Sequence, residues 1–116
     1  MRIIGNDPSN TRQTQRVASG ALTNGATVVV NSDGTVSAID GTNLTAENFI
    51  GISRSGVADT GGAIIDTKGA IADNQTGLTA GQSYFVQTDG TLGTTADDPS
   101  VFAGTAVSAT KLIVKG

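Results

Sequence analysis

Short apolar clusters alternate with polar, turn-forming residues along most of the chain. From Gly20 onward the clusters lie at residues 28–30, 49–53, 63–65, 83–86, 102–106 and 112–114. Alternate side chains of a strand face the same side, so we predict that Val28 and Val30 face a core and that Val29 faces outward. Clusters this short, separated by glycine, asparagine and aspartate, are typical of strands. The pattern predicts an all-β fold, and 116 residues leave room for one domain.

Two hairpin turns share the sequence Asp-Gly-Thr. Asp33 and Gly34 follow the first cluster, and Asp89 and Gly90 follow the cluster at residues 83–86. Glycine reaches positive φ without a Cβ clash, and the aspartate carboxylate accepts hydrogen bonds from nearby backbone amides. The glycines of the sequence Leu-Thr-x-Gly, which precedes each of these strands, are also expected in turns: Gly25 and Gly81.

These turns belong to a longer internal repeat. With an offset of 56, residues 22–36 fall on residues 78–92, and seven of the fifteen positions are identical. At an offset of 53, Phe49 and Gly51 fall on Phe102 and Gly104. Units this small cannot bury an apolar face alone, so we predict that two tandem units, about 18–72 and 73–116, complete one small β-barrel or β-sandwich. The alternative is that Leu-Thr-x-Gly and Asp-Gly-Thr are common hairpin sequences that recur by chance.

The alternation also predicts which side chains form the core of this single β domain, residues 18–116. They are apolar or aromatic and occupy the inward positions of the predicted strands: Val28, Val30, Phe49, Tyr84, Val86, Phe102, Leu112 and Val114. The last strand is flanked by Lys111 and Lys115. Flanking lysines are typical of an edge strand, because their charge discourages pairing with other chains.

Residues 1–17 differ from the rest of the chain. They contain Arg2, Arg12 and Arg16 against one acidic residue, Asp7, and show no sustained hydrophobic period. The segment carries a net charge of +2, and because the whole chain carries −3, residues 18–116 carry −5. The sequence therefore predicts an extended basic arm on an acidic body. Such an arm either docks on a partner or frays as a free terminus.

The chain lacks the side chains on which most enzyme mechanisms depend. It contains no histidine and no cysteine, which removes the usual nucleophile and base pairs, disulfides and zinc-thiolate sites. Asp97 and Asp98 are adjacent in a loop context where their carboxylates diverge, and the acidic spacing of a calcium loop is missing. We expect no enzyme activity, no cofactor, no metal and no small-molecule substrate.

Composition also disfavours nucleic acid and membranes as partners. The body is acidic, and three of its four aromatic residues lie in strand patterns that fit a core. Proteins that bind nucleic acid instead expose a basic surface with stacking aromatics. No apolar run approaches the roughly 18 residues that cross a bilayer. We expect neither kind of partner.

The chain resembles a module found in structural proteins of tailed bacteriophages, especially marine and cyanobacterial phages. The stronger resemblance lies in the second half, TGLTAGQSYFVQTDGTLGTTADDPSVFAGTAVSATKLIVKG. There a Leu-Thr-x-Gly turn leads to an aromatic strand, an Asp-Gly-Thr hairpin and a closing Gly-x-Ala-x-Ser strand that ends in Leu-Ile-Val-Lys. The first half, VASGALTNGATVVVNSDGTVSAI and NFIGIS, is similar more loosely, so the resemblance covers about residues 17–116.

The resemblance implies a capsid decoration, or cement, protein that is made in the host cytoplasm and located on the virion surface. Its partner would be the major capsid protein, and decoration proteins of this kind are commonly homotrimers. The arm would grip neighbouring capsid subunits through its arginine and isoleucine side chains: Arg2, Ile3, Ile4, Arg12 and Arg16. The alternative is a tail-fibre, head-fibre or adhesin module for host attachment, with the loop at residues 94–100 as its contact surface.

Overall fold

The domain is built from strands. The computed structural model describes residues 13–115, and within this range it has ten β-strands and no helix. In these residues no helix has the length and apolarity that a membrane span requires. In chain order the strands are β1 (Gln13–Val17), β2 (Thr27–Val30), β3 (Val36–Ala38), β4 (Phe49–Ser53), β5 (Gly62–Asp66), β6 (Ile71–Ala72), β7 (Ser83–Val86), β8 (Leu92–Gly93), β9 (Phe102–Ala106) and β10 (Leu112–Val114).

The strands form two antiparallel sheets with the same internal order. The first sheet has the order β1-β5-β4-β2-β3, and the second has the order β6-β10-β9-β7-β8. Each strand of the second sheet thus corresponds to the strand five places earlier, so β1–β5 and β6–β10 are two copies of one unit. The sheets pack face to face as a sandwich, and within residues 13–115 they do not close into one barrel. The predicted all-β fold and its two similar units are confirmed.

Both units contain a β-bulge at the same place. In the first sheet the pairing of β2 with β4 shifts between Val28 and Val29. In the second sheet the pairing of β7 with β9 shifts between Tyr84 and Phe85. These two sites are related by the offset of 56 that relates the sequences. A shared bulge is a feature of the backbone, so the repeat extends beyond the turn residues that revealed it.

A glycine opposite each bulge lets the backbones of two strands approach closely. A Cβ on Gly51 would overlap the carbonyl oxygen of Asp66, and a Cβ on Gly104 would overlap the carbonyl oxygen of Ile113. A close approach of two strands at a glycine is therefore present in both units. The same contact shows which residues of the next strands are equivalent: Asp66 in the first unit corresponds to Ile113 in the second.

The unit boundaries differ from those predicted. Strand β1 pairs with β5 along its whole length, from Gln13 opposite Asp66 to Val17 opposite Gly62. Residues 13–17, assigned to the arm on sequence, are therefore the edge strand of the first sheet. The second unit likewise begins with β6 and not after it. Sequence alternation missed β1 because its last three residues are all exposed.

Two apolar clusters hold the sandwich together. The larger cluster lies between the sheets and contains side chains of both units, such as Ile52 and Leu112. The smaller cluster lies on the other face of the first sheet, where Ala18 and Leu22 cover Ile65. Burial of both faces explains how so short a chain removes enough apolar surface from water to fold.

Strand β2 is consequently buried on both of its faces. Val28 belongs to the smaller cluster and Val29 to the larger one, and both are 0% exposed. The prediction that Val29 faces outward is wrong, because the second unit covers that face of the sheet. Val30, predicted to face the core, is only half-buried at the end of the strand.

Strand β10 is an interior strand, contrary to the prediction of a sheet edge. It lies between β6 and β9. The edges of the second sheet are β6 and β8, and each has only two residues. Such short edges offer little backbone for pairing with another chain. Lys111 and Lys115 therefore lie at the ends of an interior strand.

Candidate interaction surfaces

The basic N-terminal segment enters the fold at the edge of the first sheet. Arg16 lies on β1 and is exposed. Within the described residues β1 has β5 on one side and no strand on the other. The remaining residues predicted to contact a capsid partner lie outside the described part of the chain: Arg2, Ile3, Ile4 and Arg12. Their contact with a partner stays a prediction.

The two Asp-Gly-Thr turns are built in the same way. Oδ1 of Asp33 accepts hydrogen bonds from the backbone N and the Oγ1 of Thr35, at 3.0 and 2.6 Å. Oδ1 of Asp89 accepts the equivalent bonds from Thr91, at 3.0 and 2.7 Å. The glycines predicted in turns have positive φ: Gly25 (81°), Gly34 (87°), Gly81 (85°) and Gly90 (91°). These residues fix the shape of the two loops.

The same hydrogen bonds lower the pKa of both turn carboxyl groups. For Asp33 the main cause is the hydroxyl of Thr35, followed by its backbone amide, and for Asp89 it is the hydroxyl of Thr91. Donors of this kind stabilise the ionised form over the protonated form. The two turns are therefore most stable when both carboxylates are charged.

We expect the melting temperature to fall in acid, beginning below about pH 4. Because the folded pKa values of Asp33 and Asp89 lie below the unfolded ones, their stabilising effect is complete above the unfolded pKa. It is lost as the pH falls through the folded values. The double variant Asp33→Asn, Asp89→Asn should melt lower than wild type at pH 7 and nearly equal it near pH 2. Circular dichroism melts against pH measure this difference.

Glu47→Gln is the control for that experiment, because Glu47 is an exposed carboxyl outside both turns. Its melting curve should follow that of wild type at every pH. A constant gap between wild type and the double variant from pH 7 to pH 2 would contradict the role assigned to the turn carboxylates.

Asp97 braces the loop at residues 94–100. Its Oδ2 accepts hydrogen bonds from the backbone N and the Oγ1 of Thr88, at 2.9 and 3.1 Å, and its Oδ1 accepts one from the backbone N of Asp98 at 2.9 Å. The backbone amide of Thr88 is the main cause that lowers the pKa of Asp97. The loop is largely exposed. Nε2 of Gln87 also donates to the carbonyl oxygen of Thr95 at 2.9 Å. The loop is thus an accessible surface whose shape is held by two side chains.

One carboxylate is buried inside the first unit. Asp66 is 1% exposed, and both its oxygens accept hydrogen bonds from Nη1 of Arg54, at 3.1 and 3.0 Å. Nε2 of Gln13 donates a third bond to Oδ1 at 3.0 Å. All of these partners are structural, which is the usual state of a buried carboxylate. Nowhere in residues 13–115 do three acidic side chains gather into a possible metal site.

A cleft of about 390 Å³ lies where the two units meet. Nδ2 of Asn74 donates to Oδ1 of Asn24 at 2.8 Å and to the carbonyl oxygen of Ser53 at 2.9 Å. Nε2 of Gln75 donates to the carbonyl oxygen of Gly25 at 3.1 Å. These hydrogen bonds join the units across the cleft, so much of its polar lining already serves the junction. Sequence patterns missed the cleft because its walls come from loops of both units.

The outer face of the second sheet is apolar and only partly covered. The rings of Phe85 and Phe102 lie on it edge to face, with centroids 5.6 Å apart. Strand pairing adds further side chains to the same face, and we call the whole surface the open face: Ile71, Ser83, Phe85, Phe102, Thr105 and Ile113. Ile71 is 48% exposed. Apolar patches of this kind mark interaction surfaces more often than chance.

The open face also accounts for a residue that the sequence placed in the core. Buried positions are taken by six of the eight predicted core residues: Val28, Phe49, Tyr84, Val86, Leu112 and Val114. Phe102, like Val30, is only half-buried. The match of Phe102 with Phe49 correctly identifies equivalent positions in the two units. Only the first unit has that face covered by another unit.

The chain matches no protein-family model, and it matches no curated protein. Its function is therefore inferred from its own residues and their geometry.

Proposed function

We propose that the chain is a non-enzymatic structural protein of a tailed bacteriophage. In this role it is a capsid decoration protein that binds the outer surface of the assembled shell as a homotrimer, with the major capsid protein as its partner. The resemblance of residues 17–116 to virion modules supports the proposal. A decoration protein needs interface area rather than an active site, because binding to the assembled shell alone stabilises that form by mass action.

The observation that carries the proposal is the separation of charge. Residues 1–17 have a net charge of +2, and the rest of the chain has −5. Arg16 is exposed where this basic segment joins the body, on an edge strand. A segment that continues from an edge strand is well placed to lie along a neighbouring chain, where backbone pairing and charge both contribute. Arg2 and Arg12 would then meet acidic groups of the shell.

The state of the carboxylates is consistent with a role in binding rather than in catalysis. A general acid or base needs a pKa near the working pH. Hydrogen bonds instead lower the pKa of Asp33, Asp89 and Asp97; the donors lie in the same turn for Asp33 and Asp89, and the main donor to Asp97 is the backbone amide of Thr88. Asp66 is paired with Arg54 inside the fold.

Copy number in purified particles tests the virion role. Quantitative mass spectrometry of virions gives the molar ratio of this chain to the major capsid protein. Decoration predicts a ratio of about one, because a decoration protein follows the symmetry of the shell. A ratio of a few per cent would overturn decoration in favour of a fibre, and absence from particles would overturn any virion role.

Removal of residues 2–12 tests the arm. We expect the truncated chain to stay folded, because β1 and its pairing with β5 are retained, and to lose co-sedimentation with purified capsids. Lys68→Gln, Lys111→Gln is the control, because it removes two exposed positive charges outside the arm and should leave binding intact. Full binding by the truncated chain would contradict the role of the arm without affecting the copy-number result.

The loop at residues 94–100 supports a second candidate function, a fibre or adhesin module for host attachment. It is exposed, and Asp97 holds its shape. In that case Ala96→Arg should reduce attachment to host cells, while removal of residues 2–12 should not. The decoration role predicts the opposite pair of results.

A further inference from the structure

Within residues 13–115, three of the four sheet faces are covered. The inner faces of the two sheets pack on each other through the larger apolar cluster. Ala18 and Leu22 cover the outer face of the first sheet, where Ile65 is 0% exposed. The fourth is the open face, where Ile71 is 48% exposed. The stack of two sheets is thus closed at one end and open at the other.

The open face continues past the ends of its strands. Val107 and Lys111 lie opposite each other just beyond β9 and β10, where the backbone N of Val107 donates to the carbonyl oxygen of Lys111 at 2.9 Å. Side chains alternate along a strand, so the positions of Thr105 and Ile113 place both of these side chains on the open face. Val107 is 45% exposed. Burial of this face would therefore remove a continuous apolar surface from water.

One flank of the open face carries positive charge. The Nζ of Lys115 donates to the Oγ1 of Thr105 at 3.3 Å, which places the ammonium group on this face. The backbone N of Lys115 donates to the carbonyl oxygen of Ala103 at 2.8 Å, so Lys115 lies at the same end of the sheet as Phe102. The basic flank is therefore beside β10, at the end where Phe85 and Phe102 contact each other.

The opposite flank carries negative charge at the same end. Gln87 comes two residues after Phe85, so its side chain also turns to the open face. Its Nε2 holds the loop at residues 94–100 by a hydrogen bond of 2.9 Å, so this loop borders the β8 side of the face. The loop contains Asp97 and Asp98 and no basic residue, and Asp98 is exposed. The open face is thus basic on one flank and acidic on the other.

We propose that the open faces of two copies of this chain pack on each other in a twofold dimer. A twofold axis that runs along the central strand, β9, places the β10 flank of each copy on the β8 side of the other. Lys115 of each copy then meets the acidic loop of the other copy, and the four phenylalanine rings lie near the axis. Aligned packing of this kind is usual for sheets, and one self-complementary surface closes a dimer.

Charge selects this axis over the alternative. A twofold axis across the strands would place the β10 flanks of the two copies on each other, with Lys115 of one copy near Lys111 of the other. Like charges that face each other lower the affinity of an interface. The axis along β9 instead brings opposite charges together at two places in each dimer.

The dimer is a state of the free protein and goes beyond the proposed function. In the decoration role the symmetry of the shell arranges the bound copies, and neither the capsid nor residues 2–12 take part in the proposed contact. Ultracentrifugation of the purified chain therefore tests the dimer, while co-sedimentation with capsids tests the arm.

Two reciprocal charge reversals test the dimer by analytical ultracentrifugation. Wild type should show a monomer–dimer equilibrium that depends on concentration. Lys115→Glu and Asp98→Lys should each raise the Kd of the dimer by about tenfold, because each variant places like charges together at both ends of the contact. An equimolar mixture of the two variants should form a heterodimer about as tight as the wild-type dimer. In it the introduced carboxylate meets the introduced ammonium, and the native Lys115 meets the native Asp98.

Ile71→Glu tests the apolar part of the contact. The chain should stay folded, because Ile71 is 48% exposed, and should become monomeric, because the dimer would bury the new carboxylate between two sheets. Val17→Glu is the matched control, because Val17 is 52% exposed and lies on β1 of the first sheet. Glu47→Lys is the control for Asp98→Lys, because it makes the same charge change in the loop before β4 of the first unit. Both controls should dimerise like wild type.

Four outcomes would overturn the proposal. One is a wild type that is monomeric or trimeric in solution, and another is a mixture of the two charge variants that dimerises no better than either variant alone. Tighter dimerisation of Lys115→Glu would indicate the axis across the strands. A wild type that dimerises only after removal of residues 2–12 would show that the chain's own N-terminal segment covers the open face.

Discussion

Gly51→Ala is expected to destabilise the protein by about 3 kcal/mol, and Gly104→Ala by about the same amount. At each site the added Cβ would overlap a carbonyl oxygen of the adjacent strand, that of Asp66 or that of Ile113. Backbone atoms in a hydrogen-bonded ladder cannot turn aside as a flexible side chain can. The two strands must therefore separate at the point where the core lies beneath them. Urea denaturation followed by circular dichroism measures the loss.

Two other glycines separate this overlap from the general cost of replacing glycine. Gly56 has no positive φ, and its nearest contact would be 3.7 Å away, so Gly56→Ala should change stability by less than about 0.5 kcal/mol. Gly20 has a φ of +86° and open space around it, so Gly20→Ala should cost about 1 kcal/mol. If Gly51→Ala costs no more than Gly20→Ala, the close approach of the strands is not what requires glycine there.

Glycine and aspartate in the turns could be predicted because their chemistry is local. A hairpin at Asp33 and Gly34 needs positive φ at one residue and a short-range acceptor at the other, and both requirements are met within four residues. The repeat was visible for the same reason, because each unit repeats these local requirements at a nearly constant spacing. Two similar units then imply two similar sheets.

The sequence could not predict which strands are covered on both faces, because this depends on what another part of the chain places against them. Val29 and Phe85 occupy equivalent positions, yet Val29 is buried by the second unit and Phe85 is only half-buried. Strand β1 was missed because polar residues at a sheet edge carry no alternation. The open face was missed with it, since its equivalence to the covered face of the first sheet appears only when the strand pairing is known.

The buried ion pair of the first unit is a further feature that local patterns do not reveal. Asp66 ends a strand, where aspartate is commonly a turn residue, but here it is 1% exposed and bonded to Arg54 and Gln13. The second unit has apolar residues at the three equivalent positions: Ile71, Val107 and Ile113. The second unit therefore has an apolar version of the polar cluster that Gln13, Arg54 and Asp66 form in the first unit.

Arg54→Val is expected to lower the free energy of unfolding by about 3 kcal/mol, because it leaves the buried carboxylate of Asp66 without its cation. The value lies at the low end for buried pairs, since the side chain of Arg54 is 37% exposed and water can reach part of the site. The triple variant Gln13→Ile, Arg54→Val, Asp66→Ile copies the second unit and leaves no charge unpaired. It should regain most of the lost stability in urea denaturation at pH 7, as apolar replacements of buried ion pairs often do.

The result decides what the polar cluster contributes. If the triple variant is as unstable as Arg54→Val alone, the cluster is needed for stability, and the apolar version does not fit the first unit. If stability returns, the polar cluster is not required for stability, and the apolar residues of the second unit fit the same positions of the first.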